Sequence, residues 1–116
     1  MTNIKDIITT EWEATEYLEY IRWHGEPRCP YCDSPRVTWY MERRNYRCNA
    51  CNRSFSVRTG TMMEGSRLRL RKWARAIDVV TRDPNIRPAR LSIILDIDFA
   101  TAKKLIRRIK AFYKLP

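Results

Sequence analysis

The sequence predicts a small α+β fold: an N-terminal helix, a short β-sheet between four cysteines, and a bundle of three helices. Three observations lead to this expectation. The cysteines form two C-x-x-C pairs with fifteen residues between them. The stretch between the pairs alternates apolar and polar residues, as a β-hairpin does. Apolar residues recur at helical spacing before and after this stretch.

A short amphipathic helix is expected from about Glu11 to Arg22. Thr10 and Glu13 have the spacing of a capping box, in which a hydroxyl and a carboxylate satisfy the first free N–H groups of a helix. The apolar positions that follow are Ala14, Tyr17, Leu18 and Ile21. The outer face is expected to be acidic, through Glu13, Glu16 and Glu19. We expect the aromatic face of this helix to pack on the neighbouring sheet.

The cysteine spacing predicts one structural zinc ion. Two residues between paired cysteines let one tight turn direct both sulfurs at a single tetrahedral ion. A redox dithiol needs one C-x-x-C in a thioredoxin-like setting, and this sequence has two without that pattern. Four sulfur ligands leave no open position for water, so the ion is expected to stabilise the fold and not to catalyse. The expected ligands are Cys29, Cys32, Cys48 and Cys51, while His24 is expected to lie in an ordinary loop.

The residues around the cysteines predict a zinc ribbon. Asp33 and Asn52 follow the second cysteine of each pair, and Asp and Asn tolerate the positive φ that such a turn needs. The expected hairpin carries alternating apolar residues, then a polar turn, then a second strand. Its apolar positions are Val37, Trp39, Met41 and Tyr46, with Phe55 and Val57 on a third strand. A module of this size needs its ion to be stable.

Three helices are expected in the rest of the chain. The first spans roughly Leu70 to Arg82, and Asp83-Pro84-Asn85 ends it. Pro88 suits the first turn of a second, short helix ending near Leu95. Asp96-Ile97-Asp98 then forms a turn, with Asp98 as the N-cap of a third helix. The expected apolar faces are Leu70, Trp73, Ala74, Ile77 and Val80; Leu91, Ile94 and Leu95; and Ala102, Leu105, Ile106, Ile109 and Phe112.

Two helices joined by a tight turn, with a basic second helix, favour a helix-turn-helix that binds DNA. The N-terminal residues of a recognition helix meet base edges, and its flanks meet phosphates. Phe99, Thr101, Lys103 and Lys104 are therefore expected at the major groove, and Arg107, Arg108 and Lys110 at the backbone. The remaining expected DNA contacts are Arg67, Arg69 and Arg71.

The charge of the chain supports a polyanionic partner. The formal net charge is +10 over 116 residues, and residues 36–116 hold 20 of the 23 basic residues. Residues 1–35 hold three basic and seven acidic residues, so that part is not expected to lie on a polyanion. We expect two domains: residues 1–63 with the helix and ribbon, and residues 64–116 with the helix-turn-helix-like bundle. No apolar run is long enough to cross a membrane, and the N-terminus does not resemble a secretory signal, so we expect a cytoplasmic, nucleoid-associated protein.

Several ordered motifs resemble the N-terminal zinc-ribbon region of bacterial insertion-sequence transposases. They are EATEYLEYIRW from Glu13, CPYCDS, YRCNAC, FSVRTGT from Phe55, EGSRLRLRKW from Glu64 and TAKKL from Thr101. In that family the region is a DNA-binding part that precedes an RNase H-like catalytic domain with clustered acidic residues. The resemblance implies a DNA-binding unit without that domain. Where a helix-turn-helix of this kind is expected to have a turn glycine and a small hydroxyl cap, this sequence has Asp96 and Asp98.

The leading hypothesis is a non-enzymatic, zinc-stabilised protein that binds double-stranded DNA, with no catalytic residues. It would be a transposase-derived transcription regulator or a mobile-element or phage protein, and a homodimer would let it read paired half-sites. Two alternatives stay open. The ribbon and acidic helix could form an adaptor for RNA polymerase or another host factor, or the chain could supply DNA recognition to a separately encoded catalytic subunit.

Overall fold

The computed structural model describes residues 8–116, which contain four helices and one antiparallel sheet of three strands. The small α+β fold expected from the sequence is confirmed. In chain order the elements are α1 (Glu11–Trp23), β1 (Val37–Tyr40), β2 (Asn45–Cys48), β3 (Ser54–Phe55), α2 (Leu70–Arg82), α3 (Pro88–Leu95) and α4 (Phe99–Tyr113). None of these helices is long and apolar enough to cross a membrane.

The described chain divides into two compact units. The ribbon unit comprises residues 15–66, and the helical unit comprises residues 67–116 together with residues 8–14. The division between residues 66 and 67 lies close to the domain boundary expected at residues 63 and 64, and the first turn of α1 groups with the later helices. The first seven residues of the expected N-terminal domain lie outside the described part of the chain.

The start of α1 has the hydrogen bonds of a capping box. The Thr10 hydroxyl accepts the N–H of Glu13 at 3.0 Å, as its position in the sequence predicts. The Glu13 carboxylate in turn accepts the hydroxyls of Thr9 and Thr10, at 2.9 and 3.1 Å. The Thr9 hydroxyl in particular lowers the pKa of Glu13. The helix ends one residue later than expected, and His24 follows it with a positive φ of 51°.

The sheet has the order β1-β2-β3, and its register places aromatic side chains on one face. Trp39 pairs with Tyr46, and Tyr46 pairs with Phe55, so three aromatic rings share one face. Trp23 of α1 meets the rings of Tyr46 and Phe55 edge-on, at 5.6 and 5.9 Å between centroids. The end of α1 therefore packs on the aromatic face of the sheet through Trp23, one residue beyond the helix that the sequence predicts.

Two expected strand positions in the ribbon are wrong. Met41 lies in the turn after β1 and is 65% exposed, because β1 ends at Tyr40. Val57 is buried as expected but lies beyond β3, which ends at Phe55. Pairing with β2 spans only two residues of β3, so Val57 lies outside the strand pairing although it is buried.

The three helices of the helical unit enclose an apolar core. Helix α2 has the bounds that its apolar stripe predicts, and α4 packs against both α2 and α3. The buried positions are Trp73, Ala74, Ala76, Ile77 and Val80; Leu91 and Leu95; and Ala102, Leu105 and Ile109. Phe112, expected on the apolar side of α4, is 46% exposed. It lies in the last turn of α4, beyond Ile109, the last buried residue of the helix.

A carboxylate from the N-terminal segment caps α2. The residue before this helix, Arg69, makes no side-chain cap, and the Glu11 carboxylate accepts the N–H groups of Leu70 and Arg71 at 3.0 and 3.1 Å. Negative charge at a helix N-terminus is favourable because the first N–H groups lack partners within the helix. This contact explains why residues 8–14 group with the later helices.

The turn between α3 and α4 is held at both ends. Asp96 ends α3 in the left-handed conformation with a φ of 54°, which is where a glycine would otherwise be expected. The Asp98 carboxylate accepts the N–H of Thr101 at 2.7 Å and caps α4, as the sequence predicts. From α2, Lys72 donates to the carbonyl of Leu95, and Arg75 donates to that of Ile94 at 3.0 Å. These two cations therefore bind the otherwise free carbonyl end of α3.

Candidate metal centre and nucleic-acid interface

The four cysteine sulfurs form a compact group in the ribbon unit. All four lie within 4.8 Å of one another, and the Cys29–Cys51 and Cys32–Cys48 sulfur pairs are 3.6 and 3.5 Å apart. In a tetrahedral zinc site with bonds of about 2.3 Å, the sulfurs are separated by about 3.8 Å. The geometry and the thiolate donor set both fit one structural zinc ion, as the spacing of the cysteines predicts.

The two cysteine turns repeat the same backbone pattern. In the first, the N–H of Asp33 donates to the carbonyl of Cys29 at 2.8 Å; in the second, the N–H of Asn52 donates to that of Cys48 at 2.9 Å. Asp33 and Asn52 have φ values of 62° and 64°, which confirms that they occupy the left-handed positions. Each turn thus closes on itself and places its two sulfurs on the same side.

Backbone N–H groups surround the buried sulfurs. The sulfur of Cys29 accepts the N–H of Tyr31 at 3.4 Å, and that of Cys48 accepts those of Ala50 and Cys51 at 3.3 and 3.5 Å. The Cys51 N–H is the main cause that lowers the pKa of the Cys48 thiol. Such donors favour the thiolate, which is the form that binds a metal.

Arg22 connects α1 to the segment after β3 within the ribbon unit. Its guanidinium donates to the carbonyls of Ser56 and Val57, at 3.3 and 2.9 Å, and lies over the ring of Trp23 at 4.5 Å from the centroid. Burial lowers the pKa of this arginine. A half-buried guanidinium with two carbonyl partners and an aromatic face holds this part of the ribbon together.

Helix α4 has one buried and one basic face. Ala102, Leu105 and Ile109 face the core, and the four cations on the opposite side are exposed: Lys103, Lys104, Arg107 and Arg108. Ala100 and Ala111 are also exposed and flank the cations at the two ends of this row. Within residues 8–116, no carboxylate forms an ion pair with any of these four side chains.

The other residues of α4 that were expected to contact DNA differ in their exposure. Phe99, the first residue of the helix, is 55% exposed although it is a large apolar side chain. Thr101 is half-buried, and its N–H is already bound by Asp98. Lys110 is half-buried near the C-terminal end of α4. Phe99 is therefore a large, accessible apolar side chain at the N-terminus of the helix that carries the four cations.

The three expected arginines before and in α2 differ in what they contact. Arg67 and Arg69 are exposed. Arg71 lies 3.6 Å from the Glu11 carboxylate and donates to the carbonyl of Thr9 at 3.0 Å. Arg71 thus holds the N-terminal segment on α2, whereas Arg67 and Arg69 have no ion pair among the described residues.

The comparisons with known proteins agree with this metal centre. A family model for the transposase zinc-ribbon domain matches residues 9–54, which hold all four cysteines. The matched segment is similar to the transposase zinc-ribbon domain over 46 of the 116 residues. A protein described as an uncharacterised protein in transposable element ISH50, from Halobacterium salinarum, is 33% identical over 112 residues. The alignment covers 93% of this chain but 37% of that relative, so the chain spans little more than a third of the relative's length. No solved structure matches the chain.

The ribbon unit also carries an acidic cleft. It has a volume of about 280 Å³, and its lining includes Glu16, Glu19, Tyr20 and Tyr46. Glu19 was expected on the free outer face of α1, but it is half-buried and accepts the hydroxyl of Tyr46 at 2.8 Å. Burial is the main cause that raises the pKa of both residues. The free acidic face is thus smaller than the sequence predicts, since Glu19 contacts the sheet.

Sequence reasoning missed a second cluster of arginines in the ribbon unit. The sheet face opposite the aromatic rings carries a cavity of about 270 Å³. Its lining is Tyr40, Glu42, Arg43, Asn45, Arg47 and Ser54. The alternation along β2 contained the signal for Arg47, because neighbouring residues in a strand face opposite sides of a sheet. It could not indicate that Arg43, in the turn, lines the same cavity.

Proposed function

We propose that this chain is a zinc-stabilised protein that binds double-stranded DNA and that α4 is its main contact with DNA. The observation that carries the proposal is the basic face of α4. Four exposed cations lie on one side of a helix whose other side is buried in the core. Cations that form no ion pair within the described chain are available to phosphates, and their binding to DNA releases counterions.

The arrangement of α3 and α4 supports a helix-turn-helix mode. A three-residue turn joins them, and the cap from Asp98 starts α4 directly after it. Residues at the N-terminus of a recognition helix contact base edges, so Phe99, Ala100 and Lys103 would enter the major groove. Arg107 and Arg108, farther along the helix, would contact backbone phosphates.

The proposed biological setting is a mobile element. The transposase zinc-ribbon family and the relative from a transposable element both support it. In this setting the chain would recognise element DNA, either as a regulator or for a separately encoded catalytic subunit. Its place would then be at the DNA of the nucleoid, and a homodimer would read paired half-sites.

The salt dependence of DNA binding tests the role of α4. For about six phosphate contacts, the logarithm of the binding constant should fall against log salt with a slope of about −5. The double variant R107Q/R108Q should flatten this slope by about 2, as measured by fluorescence anisotropy with duplex DNA. R82Q is the control, because Arg82 is exposed on α2 and paired with Asp78 at 3.0 Å. An unchanged slope in the double variant would contradict the assignment.

Base-edge contacts need a separate test. Lys103→Gln should change the ranking of different duplex sequences more than it changes affinity for random DNA, because base contacts carry the sequence information. Competition binding with a panel of duplexes measures both quantities. Equal loss of affinity for every sequence would instead assign Lys103 to a phosphate.

The acidic cleft favours a second candidate function, that of a protein adaptor. Glu16 is exposed, and Glu19 lines the same cleft beside the exposed ring of Tyr20. The cleft is therefore suited to a basic side chain from RNA polymerase or another host factor. Glu16→Lys should abolish retention of purified RNA polymerase on the immobilised protein without affecting DNA binding. If the polymerase does not bind the unaltered protein, this candidate fails for that partner.

A further inference from the structure

The exposed face of the ribbon sheet carries a basic surface that the proposed function does not use. We call it the ribbon cavity and define it by its lining residues: Tyr40, Glu42, Arg43, Asn45, Arg47 and Ser54. Its volume is about 270 Å³, and all of its residues belong to the ribbon unit. None of them is a zinc ligand.

The strand register places the key side chains of the cavity together. Thr38 pairs with Arg47, and Arg47 pairs with Ser54, so these residues form one row across the three strands. Their neighbours Trp39, Tyr46 and Phe55 form the aromatic row on the opposite face. A one-residue shift in register would move Arg47 to the aromatic face, so the packing of the rings fixes its side.

The two arginines of the cavity are free, unlike others of the same unit. Arg22 and Arg58 donate to backbone carbonyls, and Arg28 pairs with a carboxylate at 2.9 Å. The guanidinium groups of Arg43 and Arg47 make no hydrogen bond or ion pair within residues 8–116. They therefore keep their full donor capacity for a ligand.

The donors around the cavity match a phosphate group. A guanidinium presents N–H groups in a planar fork that fits two phosphate oxygens, and two such groups line the cavity. Ser54 and Tyr40 add hydroxyls, and Asn45 adds an amide. Glu42 is the one carboxylate in the lining, so the formal charge of the lining is positive.

We propose that the ribbon cavity binds a backbone phosphate of nucleic acid and makes the zinc ribbon a second DNA contact, separate from α4. The inference rests on the proposed function for its ligand, which is the phosphodiester of duplex DNA. The lining supplies positive charge and hydrogen-bond donors on a short exposed sheet, which are the groups that bind a phosphate. The proposed contact therefore requires no base. The ribbon would thus add affinity and salt dependence but little sequence preference.

Charge removal in the full, zinc-loaded chain tests this inference. R43Q/R47Q should lower the affinity for duplex DNA and flatten the salt slope by about 2, because two phosphate contacts are lost. R44Q is the matched control: Arg44 lies in the same hairpin turn and carries the same charge, but does not line the cavity. It should leave the slope near that of the unaltered protein. R43K/R47K should retain the slope, because it retains both charges.

The outcomes distinguish a DNA contact at the ribbon cavity from a DNA contact at helix α4. An unchanged slope in R43Q/R47Q, with zinc content and circular dichroism intact, would overturn the inference. An equal effect of R44Q per charge would also overturn it, because general attraction would then suffice. If R107Q/R108Q has no effect while R43Q/R47Q flattens the slope, the role of α4 fails and the ribbon contact stands. If both double variants flatten it additively, both contacts are supported.

Discussion

The ribbon unit and the helical unit are stabilised by different physical means. In the ribbon, the buried cluster around the cysteines consists of Cys29, Cys48 and Phe55, with partly buried aromatic residues against it. In the helical unit, three helices contribute a continuous set of buried apolar side chains, including Trp73, Leu91 and Leu95. The sheet is too short to bury a comparable core, so metal coordination is what holds the ribbon.

In each unit, these different means of stabilisation also hold the exposed basic residues in position. The zinc turns and the aromatic row fix the register of the sheet, and the register fixes which arginines are exposed. In the helical unit, the core orients α4, and Lys72 and Arg75 hold the end of α3 before the turn. A metal-dependent unit and a core-dependent unit should therefore respond to different perturbations.

Loss of the metal should produce the largest effect and should act on the ribbon. Cys48 is fully buried, and structural zinc contributes about 10–16 kcal/mol of apparent binding free energy in small zinc modules. Cys48→Ser should abolish zinc binding and the ordered NMR signals of the sheet while helices α2 to α4 remain folded. Met41→Ser, at an exposed turn position, is the control. Full thermal stability and stoichiometric zinc in Cys48→Ser would refute the metal assignment.

The reverse experiment removes core packing from the helical unit. Trp73 is 1% exposed, and truncation of such a side chain costs about 3–5 kcal/mol. Trp73→Ala should unfold α2 to α4 in circular dichroism while zinc remains bound to the ribbon. Ile93→Ala, at a position that is 81% exposed, should change stability by less than about 0.5 kcal/mol. Joint loss of zinc and helices in Trp73→Ala would show that the units do not fold separately.

A smaller effect is expected at the cap of α2. Glu11→Gln should destabilise the helical unit by about 1 kcal/mol, because the carboxylate that accepts two N–H groups of α2 loses its charge. Urea denaturation followed at the helical signal measures the change. Glu16→Gln, an exposed change in the same helix α1, is the control. Equal stability of both variants would show that the Glu11 contact contributes nothing.

The smallest effect concerns the cap of α4 at acid pH. The hydrogen bonds from Thr101 lower the pKa of Asp98 below its ordinary value of 3.8. The stabilisation by the ionised carboxylate is therefore present above that value and is lost as the pH falls through the lower folded pKa. NMR titration of the Asp98 carboxyl carbon should give a midpoint below 3.8, and Asp98→Asn should remove this part of the pH dependence of the helix. A midpoint at or above 3.8 would contradict the cap.

Local patterns predict much of this fold. The cysteine spacing indicates the metal site, and the apolar stripe of α2 predicts its bounds, because both depend on residues close in sequence. Asp33, Asn52 and Asp98 were predictable for the same reason. The resemblance to the transposase zinc-ribbon region likewise depends on ordered local motifs, and the family match confirms it.

What the sequence could not predict depends on contacts between distant residues. Glu11 caps a helix that begins 59 residues later, and no local pattern indicates that partner. Glu19 looks exposed on a helical wheel but reaches Tyr46 on the sheet. Met41 and Phe112 fit their apolar patterns, yet both are exposed. Strand β1 ends before Met41, and Phe112 lies beyond Ile109, the last buried residue of α4.

Selection from random duplex DNA tests the central claim, that the zinc-loaded chain is a DNA-binding protein with α4 as its main contact. We expect a recovered motif that is bound about a thousandfold more tightly than random duplex, with the preference reduced in Lys103→Gln. A palindromic motif would indicate a dimer reading two half-sites. If no motif is recovered and R107Q/R108Q binds random duplex as tightly as the unaltered protein, the claim is contradicted.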